Sequence, residues 1–284
     1  MTAQRLDGKL LAQTLLHDLK KEISHLIEQP GLAVILVGQQ DASALYVKRK
    51  REVCEQIGIR SLAYDLPETT TEDALIKLIH TLNEREEIDG ILVQFPLPPT
   101  FNPQHIIEAI APAKDVDGFH PYHIGRLAQR HPALRPCTPA GIMHLLQHYD
   151  LPLSGKHAVV IGASNIVGRP MALELLMANC TVTVCHRSTT ALATHVAQAD
   201  ILVSAMGRRH VILSEWVKED AIVVDVGINR DEAGHLCGDL DIETLKQKAS
   251  WITPVPGGVG PMTIATLMAN TVQAYKQRHA GYVY

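Results

Sequence analysis

Two residues near the start of the chain have the types and the spacing of a proton-transferring pair. Tyr46 and Lys50 stand four positions apart in Ser43–Ile57, a segment whose apolar periodicity predicts a helix. Residues at this spacing share one helical face. A lysine held beside a phenol in an enclosed site has a lowered pKa and can shuttle protons. Three neighbouring residues are also basic, so spacing alone fits a solvated helix face better.

Polar residues at two further places favour a binding site. Gln94 lies at the carboxyl end of the predicted strand Gly90–Phe95, the end at which open α/β sheets bind ligands. Asp115 and Asp117 stand in a loop after a predicted helix at Pro103–Ala111. Two carboxylates there suit ligand binding, although an Asx-type turn explains them equally well.

The segment Val159–Pro170 has the pattern of a strand, a tight turn and the start of a helix. Gly162 permits a sharp turn, Gly168 permits close packing of helix on strand, and a helix start can hold a pyrophosphate. The pattern is G-x-S-x-x-x-G and meets the usual dinucleotide fingerprint only loosely. An unoccupied strand–helix turn is the alternative. The candidate cofactor residues of this turn are Gly162, Ala163, Ser164, Val167 and Gly168.

The end of the next predicted strand bears on which cofactor is bound. NAD-binding chains usually place an acidic residue about 20 positions on, for the ribose 2′-hydroxyl. Here the strand Thr181–Cys185 is followed by a basic segment that contains Arg187. A guanidinium offers a charged fork of donors that suits a 2′-phosphate. The sequence therefore favours NADP, with a solvated loop charge as the simpler alternative for Arg187.

Apolar runs of strand length alternate with segments of helical periodicity in two series along the chain. The first series is Leu32–Val37, Ser43–Ile57, Ile59–Tyr64, Thr71–Leu82 and Gly90–Phe95. The second is His157–Ile161, Gly168–Met177, Thr181–Cys185, Ala191–Ala197, Ile201–Ala205, Ile222–Val226 and Met262–Lys276. Alternation of strand and helix predicts parallel sheets covered by helices. The proline-containing stretch 119–138 separates the two series and marks a domain boundary.

Composition narrows the class of protein. The chain has 284 residues with 46% hydrophobic and 20% charged residues, which suits two globular domains. The net charge of -4 disfavours a nucleic-acid binder, and the 15 histidines show no metal-ligand spacing. Five cysteines without a C-x-x-C pattern suit reduced thiols. The sequence contains no signal-like or membrane-spanning apolar run, so we expect a cytoplasmic protein without a membrane partner.

Seven motifs occur in an order that resembles one family. They are SxxYxxxK, VQFPLP, KDVDGFHP, PCTPAG, GASNIVGRP, DVGIN and PVPGGVGPMT. Together they extend from about Val37 to Asn270, and this order is similar to that of bacterial-type bifunctional methylenetetrahydrofolate dehydrogenase/cyclohydrolases. Each motif is weak alone, but seven in order are specific.

The resemblance implies a reaction and a set of residue roles. The family oxidises 5,10-methylenetetrahydrofolate with NADP and hydrolyses the 5,10-methenyl product to 10-formyltetrahydrofolate, within one-carbon metabolism. It implies that Lys50 is the central catalytic group, that Gln94 hydrogen-bonds it, and that Tyr46 stacks on the folate. Asp117 would bind the pterin ring, as a carboxylate can accept two hydrogen bonds from an amino-pyrimidine edge.

The resemblance also implies how the chain is organised. It places Pro256, Gly257 and Gly258 against the substrate and the backbone near Ile228 against the cofactor, with no metal. We expect an N-terminal α/β catalytic domain over 1–120 and a Rossmann-like domain over 121–284, with a cleft between them. The last helix, 262–278, would pack back on the first domain. Family members are homodimers.

The sequence departs from the family pattern at two positions. Ala163 stands where many members have an arginine, which places more of the 2′-phosphate contact on Arg187. His123 replaces a usual asparagine.

The alternative functions are those of a single-activity member, a short-chain or shikimate-like dehydrogenase, and a silent dinucleotide-binding regulator. Tyr46 preceding Gly162 by more than a hundred residues disfavours the short-chain type.

Overall fold

The computed structural model describes residues 2–38 and 41–279, with the side chains of 41–43 left out. The side chain of Ser43, in the first motif, therefore lies outside the described residues. In chain order the elements are β1 (Gln4–Arg5), α1 (Gly8–Ile23), β2 (Gly31–Val37), α2 (Asp41–Ile57), β3 (Arg60–Leu66), α3 (Glu72–Glu84), β4 (Gly90–Val93), α4 (Pro103–Ala109), α5 (Pro121–Ala128), α6 (Cys137–His148), β5 (His157–Ile161), α7 (Gly168–Met177), β6 (Thr181–Cys185), α8 (Leu192–Val196), β7 (Ile201–Ser204), β8 (Ile222–Asp225), β9 (Asn229–Arg230), β10 (Leu236–Cys237), α9 (Ile242–Leu245), β11 (Trp251–Ile252) and α10 (Val259–His279).

The chain divides into two compact units. The three-stranded unit comprises Thr14–Cys137 and Leu267–Tyr284, and the six-stranded unit comprises Met1–Gln13 and Thr138–Thr266. Both units therefore combine segments that are far apart in the sequence. The sequence-based division into 1–120 and 121–284 stays a prediction.

The three-stranded unit is built on a parallel sheet of order β3-β2-β4. Every residue of β2 is buried, as a central strand with both faces covered requires. Residues of β2 and β4 pack with Leu75, Ile79 and Leu82 of α3 in one apolar core. The N-cap of α3 is Thr71, whose side chain accepts a hydrogen bond from the Ala74 amide, as predicted.

The second half of α10 belongs to the three-stranded unit and is fastened there at both ends. Near its start, Asn270 donates to the Val116 and Arg135 carbonyls, each at 2.8 Å. At its end, Arg278 donates to the buried carboxylate of Asp89 at 2.6 Å. These contacts join segments more than 130 residues apart in the chain.

The six-stranded unit contains an all-parallel sheet of order β1-β11-β8-β7-β5-β6. Alternate residues of β5 enter two different cores, Ala158 and Val160 on one face and Val159 and Ile161 on the other. Both faces of β5 are covered, which explains why it is a nearly continuous apolar run. The α/β class with a Rossmann-like parallel sheet is thereby confirmed.

Several predicted elements have the same bounds in the structure, and others were missed. The strands His157–Ile161 and Thr181–Cys185 and the helix Gly168–Met177 are confirmed. The stretch 119–138 was interpreted only as a boundary, but it contains α5. That helix starts at Pro121 and is capped by the His120 ring, which accepts from the Tyr122 amide, so this proline opens a helix instead of breaking one.

The described residues contain neither a membrane-spanning helix nor a metal-binding cluster of side chains. None of the helices in that part of the chain has the length and hydropathy that crossing a membrane needs. The described His, Cys, Asp and Glu side chains form no group of three or more that could hold a metal ion.

Candidate active site

The side chains of Tyr46, Lys50 and Gln94 meet in the three-stranded unit. Lys50 projects from α2 and is only 4% exposed. Its Nζ donates to Oε1 of Gln94 at 3.1 Å, from the residue that follows β4. The same Nζ lies 4.7 Å from the centre of the Tyr46 ring. One acceptor and one aromatic face are few groups to stabilise the charge of a buried ammonium. Lys50 therefore releases its proton more readily than an exposed lysine does.

Burial and one carboxylate act in opposite directions on the lysine. Desolvation lowers the pKa of Lys50, while the charge of Asp117 partly offsets that effect. The pKa of Asp117 is raised by burial and lowered by Lys50. Burial also raises the pKa of Tyr46, with Asp117 adding to the effect, so the phenol stays protonated. Lys50 is therefore the basic group of this set, and its pKa is shifted downwards, in the direction that proton exchange by a lysine requires.

The Lys114–Gly118 motif separates into structural and functional residues. Lys114 is buried, and its Nζ donates to three carbonyls at the end of α3, those of Leu82, Asn83 and Arg85. Asp115 accepts from the Gly118 amide at 3.2 Å and from the His120 amide at 2.7 Å. Asp115 therefore forms the Asx-type turn, whereas Asp117 is partly exposed and remains the candidate ligand-binding carboxylate of this motif.

The unusual His123 has a packing role in the same region. Its ring is fully buried, and Nε2 lies 2.8 Å from the Pro112 carbonyl, which can only accept. Desolvation lowers the pKa of His123 to about 4, so the ring is neutral at physiological pH. We conclude that this histidine holds the segment that precedes Asp115 and takes no part in proton transfer.

Two residues that sequence reasoning missed support the loop of Asp117. Besides the donation from Asn270, the Val116 carbonyl accepts from the thiol of buried Cys137 at 3.2 Å. The Cys137 amide donates to the Asp117 carbonyl at 3.3 Å. Cys137 stands in the PCTPAG motif, which gave a signal, but Asn270 is 154 positions from Val116 and could not be identified before folding.

The turn after β5 has the geometry of a dinucleotide cradle. Gly162 has φ +122°, and a Cβ there would lie 2.3 Å from the Ala205 carbonyl oxygen. A Cβ on Gly168 would lie 1.9 Å from the Gly162 oxygen. The Ser164 hydroxyl accepts from the amides of Val167 and Gly168 at 3.2 and 3.3 Å. Only glycine fits at these two positions, because any side chain would collide with the neighbouring backbone. The turn follows β5, the strand at which the order of the sheet reverses, and open α/β sheets bind ligands at such a point. The residues therefore fit a bound dinucleotide.

The other predicted cofactor residues lie at the same edge of the six-stranded sheet. Arg187 is exposed in the turn after β6, which is held by the His186 amide donating to the Thr189 hydroxyl at 2.9 Å. Ile228 follows β8 and is 65% exposed, which is unusual for a large apolar residue. Ala163 carries no donor on its side chain, so Arg187 is the cation of this set.

The predicted substrate loop also lies in the six-stranded unit. Pro256 is exposed, Gly257 has φ +107°, and Gly258 is buried. The Lys9 amide donates to the Gly257 carbonyl at 2.9 Å, and a Cβ on Gly8 would lie 1.9 Å from the Gly258 oxygen. The structure thus groups the catalytic candidates in one unit and the cofactor turn and this loop in the other.

Comparisons with known proteins agree over nearly the whole chain. Residues 6–117 match the tetrahydrofolate dehydrogenase/cyclohydrolase catalytic domain, and residues 136–279 match the NAD(P)-binding domain of the same family. The bifunctional methylenetetrahydrofolate dehydrogenase/cyclohydrolase from Campylobacter jejuni is 50% identical, with a TM-score of 0.95 over 97% of this chain and 99% of that one.

Two eukaryotic structures are similar as well. The Trypanosoma brucei dehydrogenase-cyclohydrolase, solved with NADP cofactor and an inhibitor, is 36% identical with a TM-score of 0.93 over 98% of each chain. A 5,10-methylenetetrahydrofolate dehydrogenase from the silkworm Bombyx mori is 40% identical with a TM-score of 0.92, over 98% of this chain and 99% of that one.

Proposed function

This chain belongs to the tetrahydrofolate dehydrogenase/cyclohydrolase family, and from that premise we propose how its residues carry out the two reactions. The enzyme oxidises 5,10-methylenetetrahydrofolate with NADP and hydrolyses 5,10-methenyltetrahydrofolate to 10-formyltetrahydrofolate. The observation that supports the residue roles is the buried ammonium of Lys50, held by Gln94 over the ring of Tyr46.

In the oxidation, the residues of the three-stranded unit bind and orient the folate. Tyr46 offers an aromatic face to the pterin, and Asp117 accepts hydrogen bonds from its amino-pyrimidine edge. NADP, when bound, supplies the nicotinamide that accepts the hydride. The folate nitrogen lone pairs stabilise the cation that remains, so this step depends on orientation more than on an acid or base.

In the hydrolysis, Lys50 acts as the proton carrier. The cationic methenyl carbon adds the oxygen of a water molecule, and neutral Lys50 accepts a proton from that water. The bond from this carbon to one ring nitrogen then breaks, and the proton passes to that nitrogen, while the second water proton goes to solvent. The substrate cation adds like-charge repulsion to the desolvation that already lowers the pKa of Lys50, so the neutral form is favoured when it is needed.

In the six-stranded unit, the cradle of Gly162, Ser164 and Gly168 would hold the pyrophosphate of NADP. Arg187 would pair with the 2′-phosphate, and the backbone at Ile228 would contact the nicotinamide end. With Ala163 in place of an arginine, Arg187 accounts for the preference of NADP over NAD.

We also propose a homodimer in a reducing compartment, the cytoplasm, without nucleic-acid or membrane partners. The free thiols of the five cysteines support the reducing compartment, the net charge of -4 supports the absence of nucleic-acid partners, and the family resemblance supports the dimer. Light scattering on the purified protein tests the dimer, and a mass of one chain would contradict it.

The test of the function is an absorbance assay with 5,10-methylenetetrahydrofolate and either NADP or NAD. We expect reduced cofactor to form with NADP, and methenyl product to decay faster than without enzyme. Lys50→Ala should lose hydrolysis, lose much of the oxidation and still bind NADP. Lys48→Ala, an exposed lysine on the same helix, is the matched control. Full hydrolysis by the Lys50 variant would remove that residue from the mechanism.

A further inference from the structure

Two loops lie beside the cofactor cradle at the carboxyl edge of the six-stranded sheet. One follows β7, the neighbour of β5, and contains Ala205, whose carbonyl oxygen approaches Gly162. The other follows β8 and contains Gly227 and Ile228. The Ala205 amide donates to the Ile161 carbonyl at 2.8 Å, so the first loop and the cradle share one hydrogen-bonded edge.

A single buried side chain, Asp239, holds both loops. Its Oδ2 accepts from the Ser204 hydroxyl at 3.0 Å, the Met206 amide at 2.9 Å and the Gly207 amide at 3.2 Å. Its Oδ1 accepts from Nδ2 of Asn229 at 2.9 Å, just after Ile228. Asp239 is only 2% exposed and comes from the segment that follows the β9–β10 hairpin.

A second buried carboxylate fixes the position of Asp239. Oδ1 of Asp225 accepts from the Gly227 amide at 2.9 Å and from the Asp239 amide at 3.0 Å. Its Oδ2 accepts from the Leu240 amide at 2.9 Å. A Cβ on Gly227 would lie 2.2 Å from Oδ1 of Asp239, so the carboxylate packs directly against that backbone. The two acids thus connect the hairpin, the β7 loop and the β8 loop.

The energetics indicate a positioning role. Four neutral donors satisfy Asp239, namely Ser204, Met206, Gly207 and Asn229. Burying a carboxylate is costly unless its hydrogen bonds are complete, and a complete buried network permits only one geometry. The arrangement therefore stabilises a particular loop shape more than it stabilises the fold.

We propose that Asp239 is a positioning residue for NADP, which sets cofactor affinity through the backbone of the loops after β7 and β8 without touching the cofactor. This inference rests on the proposed function, in which the cradle and Ile228 receive NADP. The residues proposed for hydrolysis, Lys50, Gln94 and Asp117, lie in the three-stranded unit, and the reaction needs no cofactor, so Asp239 has no role in it.

The experiment measures the Kd of NADP by isothermal titration calorimetry on the full chain, together with both activities. Asparagine has one oxygen, which can serve the loop amides or Asn229 but not both. Asp239→Asn should therefore raise the Kd and the KM for NADP about tenfold or more, because a displacement of about 1 Å can reduce function about a hundredfold. Hydrolysis of methenyltetrahydrofolate should stay at the wild-type rate.

Asp231→Asn is the matched control. Oδ1 of Asp231 also accepts two backbone amides, from Ala233 and His235, but in the exposed hairpin turn. That variant should bind NADP as the wild type does. Asp239→Ala should weaken NADP further, and if it fails to fold, Asp239→Asn decides alone.

The outcomes distinguish a failure of the Asp239 proposal from a failure of the proposed function. An unchanged Kd in Asp239→Asn, with or without a lower Tm, would overturn the proposal and leave Asp239 a purely structural residue. Equal losses of hydrolysis and NADP binding would overturn it too. A wild-type protein that turns over neither folate would instead contradict the proposed function.

Discussion

Gln94→Glu is the substitution that tests the proton-carrying role of Lys50 most directly. The Oε1 atom of Gln94 is 3.1 Å from the lysine Nζ, so glutamate would place a negative charge against the ammonium at nearly constant volume. A carboxylate there favours the charged form of lysine and opposes the desolvation that lowers its pKa. The neutral lysine that hydrolysis needs therefore becomes scarcer.

The size of the effect follows from that distance. Two unit charges 3.1 Å apart attract by roughly 5 kcal/mol at an effective dielectric constant of about 20, which is an upper limit for this pair. Even about a quarter of that energy lowers the neutral fraction about tenfold, since about 1.4 kcal/mol corresponds to a factor of ten. We expect hydrolysis at neutral pH to fall about tenfold or more, with the rise of activity displaced to higher pH.

The assay is the decay of methenyltetrahydrofolate absorbance across pH, with the uncatalysed rate subtracted. Oxidation should suffer less, because a carboxylate stabilises the cationic product. Gln129→Glu adds the same charge at an exposed position that ends α5, and it should leave the profile unchanged. A wild-type profile in Gln94→Glu would refute the reasoning that links Gln94, Lys50 and the proton.

Three further outcomes test other parts of the molecule. Arg187→Ala should weaken NADP by about 1.5–3 kcal/mol and NAD much less, and equal losses in calorimetry would place the 2′-phosphate elsewhere. Gly168→Ala should abolish NADP binding and spare hydrolysis, because its Cβ would lie 1.9 Å from the Gly162 oxygen. The control is Gly125→Ala, whose Cβ would have no atom within 4 Å. Unchanged NADP binding by the Gly168 variant would argue against the cradle. Burial raises the pKa of Asp115 to about 7. The folded protein therefore keeps a proton on Asp115 that the unfolded chain releases near pH ~4. The contribution of this proton to stability is lost as pH rises from about 4 to 7. Asp115→Asn should therefore show a smaller fall in Tm between pH 5 and pH 8 than the wild type, and identical slopes would contradict the assignment.

Local patterns predicted much of the fold. The strand β5 is a nearly continuous apolar run and β6 alternates threonine with valine, so both were assigned with their observed bounds. The N-cap Thr71 was likewise evident, because capping depends on residues three positions apart. By contrast, β1 and β11 are two residues long, and such strands have no periodicity to detect.

The candidate site was predictable to the level of residue types. The order of the seven motifs identified Tyr46, Lys50, Gln94 and Asp117 as candidates, and three of them make the contacts described above. The family motif pointed to Asp117, but residue type and spacing alone could not separate it from Asp115, because an aspartate in this loop suits either an Asx turn or a ligand contact. The hydrogen bonds of Asp115 made that distinction.

The sequence by itself determined the α/β class, the family and the candidate residues for the chemistry, because short-range patterns and motif order encode them. Tertiary structure alone decided how those residues are held. Asn270 fastens the loop of Asp117 from 154 positions away, and Asp239 joins loops that follow two different strands. Such contacts depend on which segments the folded chain brings within hydrogen-bonding distance, and no local pattern records that choice.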